Sequence, residues 1–164
     1  MKGNVIAEQG HVVQILPAVD ITGGKKCQAF SMKNWQHATI IISVGVSAAA
    51  WTSIIVQAGS ATAAIGSDVA NNVTIPFRLY KQETTGADKD VLDAGTNLAA
   101  TGDTTVSAND NIFYVIELDA QELPDGKPYV QLLLANGANS VIASAVAILS
   151  GGRFQHRQSE TVTT

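Results

Sequence analysis

Three stretches near the C-terminal end, Asn111–Leu118, Pro128–Ala135 and Ser140–Leu149, hold the densest apolar pattern in the chain. Ile112, Tyr114, Ile116 and Leu118 alternate with Phe113, Val115, Glu117 and Asp119, a period of two that predicts a strand with one buried face. Val130, Leu132 and Leu134 repeat the pattern opposite Tyr129, Gln131 and Leu133. Asn136-Gly137 tolerates the positive φ of a two-residue turn, so the three strands are expected to form the central antiparallel unit of an all-β domain, with a hairpin across Asn136–Asn139. Upstream, His37–Val46 places Ile40, Ile42, Val44 and Val46 on one face and Thr39, Ile41, Ser43 and Gly45 on the other; its β-branched density argues against helix.

The remaining elements are shorter. His11–Leu16 reads as a strand closed by Pro17, Lys26–Met32 as a weakly alternating strand, and Lys33–Gln36 as a turn whose Trp35 indole covers one end of the body. Trp51–Ala58 is expected to be a strand and Gly59–Ala70 a long loop. Asn72–Lys81 is a strand interrupted by Pro76, which belongs at a sheet edge or bulge. Gln82–Asp88 reads as a hairpin-like loop with Gly86, and Lys89–Asp93 and Thr104–Ser107 as short strands around the loop Ala94–Asp103. Asp119-Ala120-Gln121-Glu122 has the spacing of a capping box ahead of one helical turn, which Pro124 stops. About eight to ten strands and no ordinary helix predict an antiparallel β-sandwich or jelly roll. Residues 11–150 form the body, 1–10 an extended N-terminal arm and 151–164 a polar C-terminal tail with Phe154 as its apolar residue.

At 164 residues the chain suits one domain with a core of its own. The hydrophobic fraction, 46%, is ordinary for a folded protein, whereas the charged fraction, 15%, is low, with Ala, Thr, Ser, Asn and Gly in its place. Such a surface desolvates easily and suits packing against other proteins; it equally describes a weakly charged soluble domain. Net charge is −4, and the basic residues gather only as Lys25-Lys26 and the loose Arg153, His156, Arg157 group, which speaks against nucleic acid as a partner. The single cysteine, Cys27, rules out an intramolecular disulfide and fits a buried structural thiol in a reducing compartment. Met1-Lys2-Gly3-Asn4 is not followed by a signal-like apolar run, and Val141–Leu149 is too short to span a bilayer. The expectation is a soluble protein made in the cytoplasm, with no membrane partner.

No residue set predicts catalysis, a metal or a cofactor. His11, His37 and His156 lack neighbours at ligand spacing. Asp88, Asp90 and Asp93 lie close together but lack the glycine and terminal glutamate of an EF-hand loop, and read as a solvated acidic loop. In Gly23-Gly24-Lys25-Lys26 a lysine stands where a phosphate loop needs Ser or Thr. Glu117 and Asp119 sit two apart on one strand face, whereas paired-acid sugar hydrolysis needs carboxylates across a cleft; their expected role is structural or interfacial. Ser31, Ser53 and Ser144 have no nucleophile-elbow setting, and the Asn72-Val73-Thr74 sequon matters only to a secreted protein. Trp35, Trp51, Tyr80 and Tyr129 are candidates for a sugar-stacking platform, though with 5% aromatics most should be core.

Four segments carry a family likeness: Ile15-Leu16-Pro17-Ala18-Val19-Asp20-Ile21, Phe30-Ser31-Met32-Lys33-Asn34-Trp35, Tyr114-Val115-Ile116-Glu117-Leu118-Asp119-Ala120, and Ala147-Ile148-Leu149-Ser150-Gly151-Gly152-Arg153-Phe154. On these the chain resembles small virion structural proteins of tailed bacteriophages, the head decoration (cement) proteins among them. The resemblance implies a β-rich body present in many copies on the capsid surface, contact with the major capsid protein, a homo-oligomer (a trimer is the expected state) and no catalysis. A receptor- or glycan-binding module of a head fibre or tail is the alternative.

Overall fold

A computed structural model describes residues 6–62, 66–83 and 91–152. Eleven strands form two antiparallel sheets: β1 (His11–Asp20), β2 (Lys25–Lys26), β3 (Phe30–Ser31), β4 (His37–Ser47), β5 (Ser53–Gly59), β6 (Val73–Ile75), β7 (Phe77–Gln82), β8 (Thr96–Leu98), β9 (Ile112–Asp119), β10 (Tyr129–Ala135) and β11 (Val141–Ser150). One sheet has the order β1-β11-β4-β9-β7-β8; the other runs β2-β10-β5-β6, with β3 also on β10. Pairings nest: first strand with last (β1–β11), β2 and β3 with β10, β4 with β9, and β5 with β6. This is the pairing scheme of a jelly roll, to which the β7–β8 hairpin adds two strands beyond β9. The all-β sandwich read from the strand periodicity is the observed fold.

The three strongest strands do not form one unit. β9 pairs with β4 and β7, β10 with β5, and β11 with β1 and β4. Asn136-Gly137 therefore begins a crossing between the sheets rather than a hairpin, and Gly137 does not take a positive φ. The reason is burial: Leu132 and Leu134 of β10 and Val141 and Ala147 of β11 all need the same core, and they reach it from opposite walls. Asp20 anchors the crossing. Its carboxylate accepts from Ser140 Oγ at 2.6 Å and Thr22 Oγ1 at 2.7 Å, while Thr22 Oγ1 lies 3.1 Å from the Asn139 carbonyl. Those hydrogen bonds, Ser140 first and Thr22 next, hold the Asp20 carboxyl far below the usual carboxylate range.

Pro76 separates β6 in one sheet from β7 in the other, a corner where no ladder N–H is needed; Ile75 and Phe77 on either side are both buried. Pro17 does not end β1, which continues to Asp20 through two register shifts, because β1 is the edge strand of its sheet, where a missing ladder N–H is tolerated. The expected strand Lys26–Met32 is two short pieces, broken where Cys27 N–H bonds Leu132 O and Gln28 N–H bonds Ile15 O. A bulge in β4 opposite β11 turns Val46 outward, 66% exposed, while Ile40, Ile42 and Val44 stay inside. Thr104–Ser107 is not a strand, and neither is the described part of Lys89–Asp93. The strand β8 lies instead inside the expected loop, set by Asp93, whose carboxylate accepts the N–H groups of Lys81 and Gly95.

The N-terminal segment is not wholly extended either: Ile6–Gln9 forms one helical turn, and Gly10, buried, lies close under Leu149 and Ile148. Residues 1–5, the Gly86 loop, Asp88, Asp90 and the tail from 153 on, with Phe154, His156 and both arginines, lie outside the described residues. Over the outer side of β5 and β10 the described part of the 60–72 loop forms a cover: Gln131 donates to Cys27 O and Ser67 O and accepts from Val69 N–H. This is why Gln131 and its ladder neighbour Gln57 are buried although they point away from the core.

Candidate functional site

The outer face of the six-stranded sheet carries no such cover among the described residues. The registers place its side chains in rows across the strands: Val12, Ile148, Thr39, Glu117 and Arg78 in one, and Gln14, Val146, Ile41, Val115 and Tyr80 in the next. A further row runs through Ser144, Ser43 and Phe113. The middle of this surface is β-branched and uncharged. Val12 is 53% exposed, Phe113 44% and Ile142 37%. The one-turn helix at Ile6–Gln9 overhangs one side, leaving a cleft of about 690 Å³ between Ile6 and Gln9 above and Thr39, Ile41 and Ile148 below.

Charge is gathered at one end of that face. His37, the first residue of β4, is held on both ring nitrogens: Nε2 lies 2.6 Å from Glu117 Oε2 and Nδ1 lies 2.7 Å from Asp119 Oδ1. Thr39 Oγ1 donates to the same Glu117 oxygen at 2.7 Å. Glu122 reaches back from the following 3-10 turn to accept the Asp119 N–H at 3.0 Å, and Ala120 N–H bonds Gln36 O. Partial burial works against the His37 charge, but the hydrogen bonds to Asp119 and then Glu117 outweigh it and raise its pKa above the ordinary 6.5. The turn forms the wall between two grooves. One, about 560 Å³, is lined by Met32, Trp35, Gln36, Leu123 and Pro128; the other, about 330 Å³, by Phe77, Arg78, Leu98, Glu117 and Glu122.

A second charged set lies inside the sandwich at its other end. Lys81 points inward from β7 and meets Asp103 Oδ2 at 2.8 Å, Thr105 O and Oγ1 at 3.0 Å each, and Glu83 Oε1 at 3.7 Å. Tyr114 donates to Glu83 at 2.7 Å and accepts the Ser107 N–H at 3.0 Å, and burial raises its phenol pKa far above the ordinary range. Desolvation pushes the Asp103 carboxyl up, yet the hydrogen bonds from Lys81 and Thr105 prevail and lower it.

Glu117 and Asp119 thus do sit together, but around a histidine rather than across a sugar cleft. What the linear pattern could not reveal is His37, eighty residues away in sequence from Glu117. Among the described residues no group of three or more His, Cys, Asp or Glu side chains is placed to hold a metal. His11 stacks on Trp35 at 5.7 Å between centroids, far in role from His37. The four aromatics form no common platform: Trp51 is 3% exposed, edge-on to Tyr114, while Lys33 lies over Tyr129 and Arg78 over Tyr80. Ser53 is buried, and Lys25 and Lys26 pair in β2 with β10, with Lys26 also bridging Asp68 at 2.7 Å. Cys27 is fully buried, and desolvation pushes its thiol up to about 12.

No family model matches the chain, and no curated protein matches it. Among solved structures the chain is similar to the crystal structure of the SPBc2 prophage-derived protein YomS, with a TM-score of 0.42 and 11% sequence identity over 85% of this chain and 92% of that one.

Proposed function

We propose that this chain is a non-enzymatic structural protein of a tailed-phage virion, a capsid decoration protein that binds and stabilises the major capsid protein lattice. The observation that carries the reading is the outer face of the six-stranded sheet, uncharged across its middle, with Val12, Phe113 and Ile142 exposed on its ladder. Desolvating such a surface costs little, so it gains from contact with another protein, and many copies on a lattice make even a modest interface effective. The likeness of its four sequence segments to small virion structural proteins of tailed phages, decoration proteins among them, points to a virion partner. The protein is made in the host cytoplasm, assembles as a homo-oligomer, a trimer by expectation, and ends on the capsid surface.

The test is cosedimentation of the purified protein with phage heads stripped of it. Val12→Asp and Phe113→Asp each place a charge on an exposed position of the face and leave the core intact. Retained circular dichroism with at least tenfold weaker head binding supports the reading. Unchanged binding by the double variant removes this face from the contact, and failure of the wild-type protein to bind heads removes the capsid as partner.

A further inference from the structure

Among the described residues, His37 is a side chain whose contacts demand a particular protonation state. A neutral imidazole has one N–H and one lone pair, and it can donate from one nitrogen only. Here both nitrogens face carboxylate oxygens, at 2.6 and 2.7 Å, and an ionised carboxylate only accepts. Both hydrogen bonds are satisfied together by the imidazolium alone. We propose that His37, gripped between Glu117 and Asp119, is a proton-operated latch: charged, it holds the turn from Asp119 to Leu123 against the start of β4; neutral, it lets that turn go.

The surroundings decide which arm opens. Glu117 is doubly held, accepting from Thr39 Oγ1 as well as from His37, and its side chain is 30% exposed. Asp119 is 62% exposed and can turn into water. Loss of the ring proton therefore leaves a lone pair against Asp119, and Asp119 departs first. It is the residue that leads into the 3-10 turn Ala120–Glu122. Among the described residues the charged groups around the latch are few. Glu117 and Asp119 come from β9, Glu122 from the turn, and Arg78 from β7, opposite Glu117. Ser150 of β11 pairs beside His37 without charge, the overhanging helical turn carries the exposed Glu8, and His11 stacks on Trp35 from β1. Among the described residues, three carboxylates against one arginine favour the proton. The latch adds stability that is fully present below the unfolded histidine value and fades as pH rises through the raised folded value. Release changes the wall shared by the two grooves, so shape at this end of the molecule follows pH.

The inference does not depend on the capsid reading and is tested on the isolated protein. In ring-nitrogen NMR of the wild type, both His37 nitrogens are expected to be protonated at pH 6.5, with a titration midpoint above that pH. The backbone amides of Asp119, Ala120 and Glu122 should move with the same midpoint, and Asp119→Asn should lower it by roughly one pH unit, a tenfold loss of proton affinity. His11→Gln and His156→Gln assign the other two ring signals. A His37 midpoint at or below 6.5, or turn amides that stay still while the ring titrates, overturns the latch, and the wild-type titration decides this even if Asp119→Asn fails to fold.

Discussion

Removing one charge from the Lys81–Asp103 pair should be among the costliest single changes in the molecule. Lys81 belongs to the six-stranded sheet, while Asp103 exchanges backbone hydrogen bonds with Ile54 of the other, so the pair ties the two walls together. The side chains are 17% and 4% exposed, which removes most of the solvent screening that makes surface pairs weak. Asp103→Asn is the cleanest perturbation, because the bonds from Thr105 N–H and Oγ1 to Oδ1, at 3.0 and 2.8 Å, survive it. What remains is an ammonium held by Thr105, with the nearer anion gone and only Glu83, at 3.7 Å, left as counter-charge. Breaking one side of a buried pair costs about 3 kcal/mol, a loss of roughly 6–12 °C in Tm for a chain of this size. Lys81→Met should cost no less, since it strands the more buried partner. The double variant removes both charges and should return to within about 1 kcal/mol of wild type, because a neutral pair carries no desolvation penalty. Urea unfolding of the four proteins gives the cycle directly. Additive losses, or a single-variant cost below about 1 kcal/mol, would refute the claim that this pair is buried in the energetic sense. The Asp103 contribution should also vanish in acid: its lowered folded pKa adds stability above the unfolded value of 3.8 that is lost as pH falls through the folded one.

Two glycines should behave oppositely on substitution by alanine. Gly102 has φ +79°, and an added Cβ would lie 2.1 Å from Ile54 O, so Gly102→Ala should cost at least about 2 kcal/mol in urea unfolding, through strain and loss of the Ile54–Asp103 bridge. Gly137 has open space around its Cβ position and no positive φ, so Gly137→Ala should be neutral or stabilising by up to about 1 kcal/mol; a marked loss would restore the hairpin-turn reading. Cys27, fully buried with its thiol pushed up to about 12, should react with a thiol reagent at pH 8 only as fast as the protein opens. Labelling faster than unfolding would place the thiol at the surface.

Periodicity was enough to find β4, β9, β10 and β11 and to assign most of their faces, because a two-residue alternation is a local consequence of one side facing a core. Ile112, Tyr114, Ile116 and Leu118 are all fully buried, as their spacing demands. Even there Val46 escaped, since the bulge that turns it out depends on its partner strand. Weak elements failed for the same reason: β8 exists because Asp93 occupies the Lys81 N–H, and that is a contact rather than a propensity.

Composition and alternation thus determined an all-β chain with a low-charge surface and a core drawn from alternate residues of its longest strands. They could not say which strands pair, because any two apolar strands satisfy each other's hydrogen bonds equally well. Only tertiary structure sent β10 and β11 to opposite walls, closed a jelly roll around them, and brought His37 between Glu117 and Asp119. A proton site made by residues some eighty positions apart has no sequence signature, since its geometry comes into being only when the ladder between β4 and β9 fixes their register.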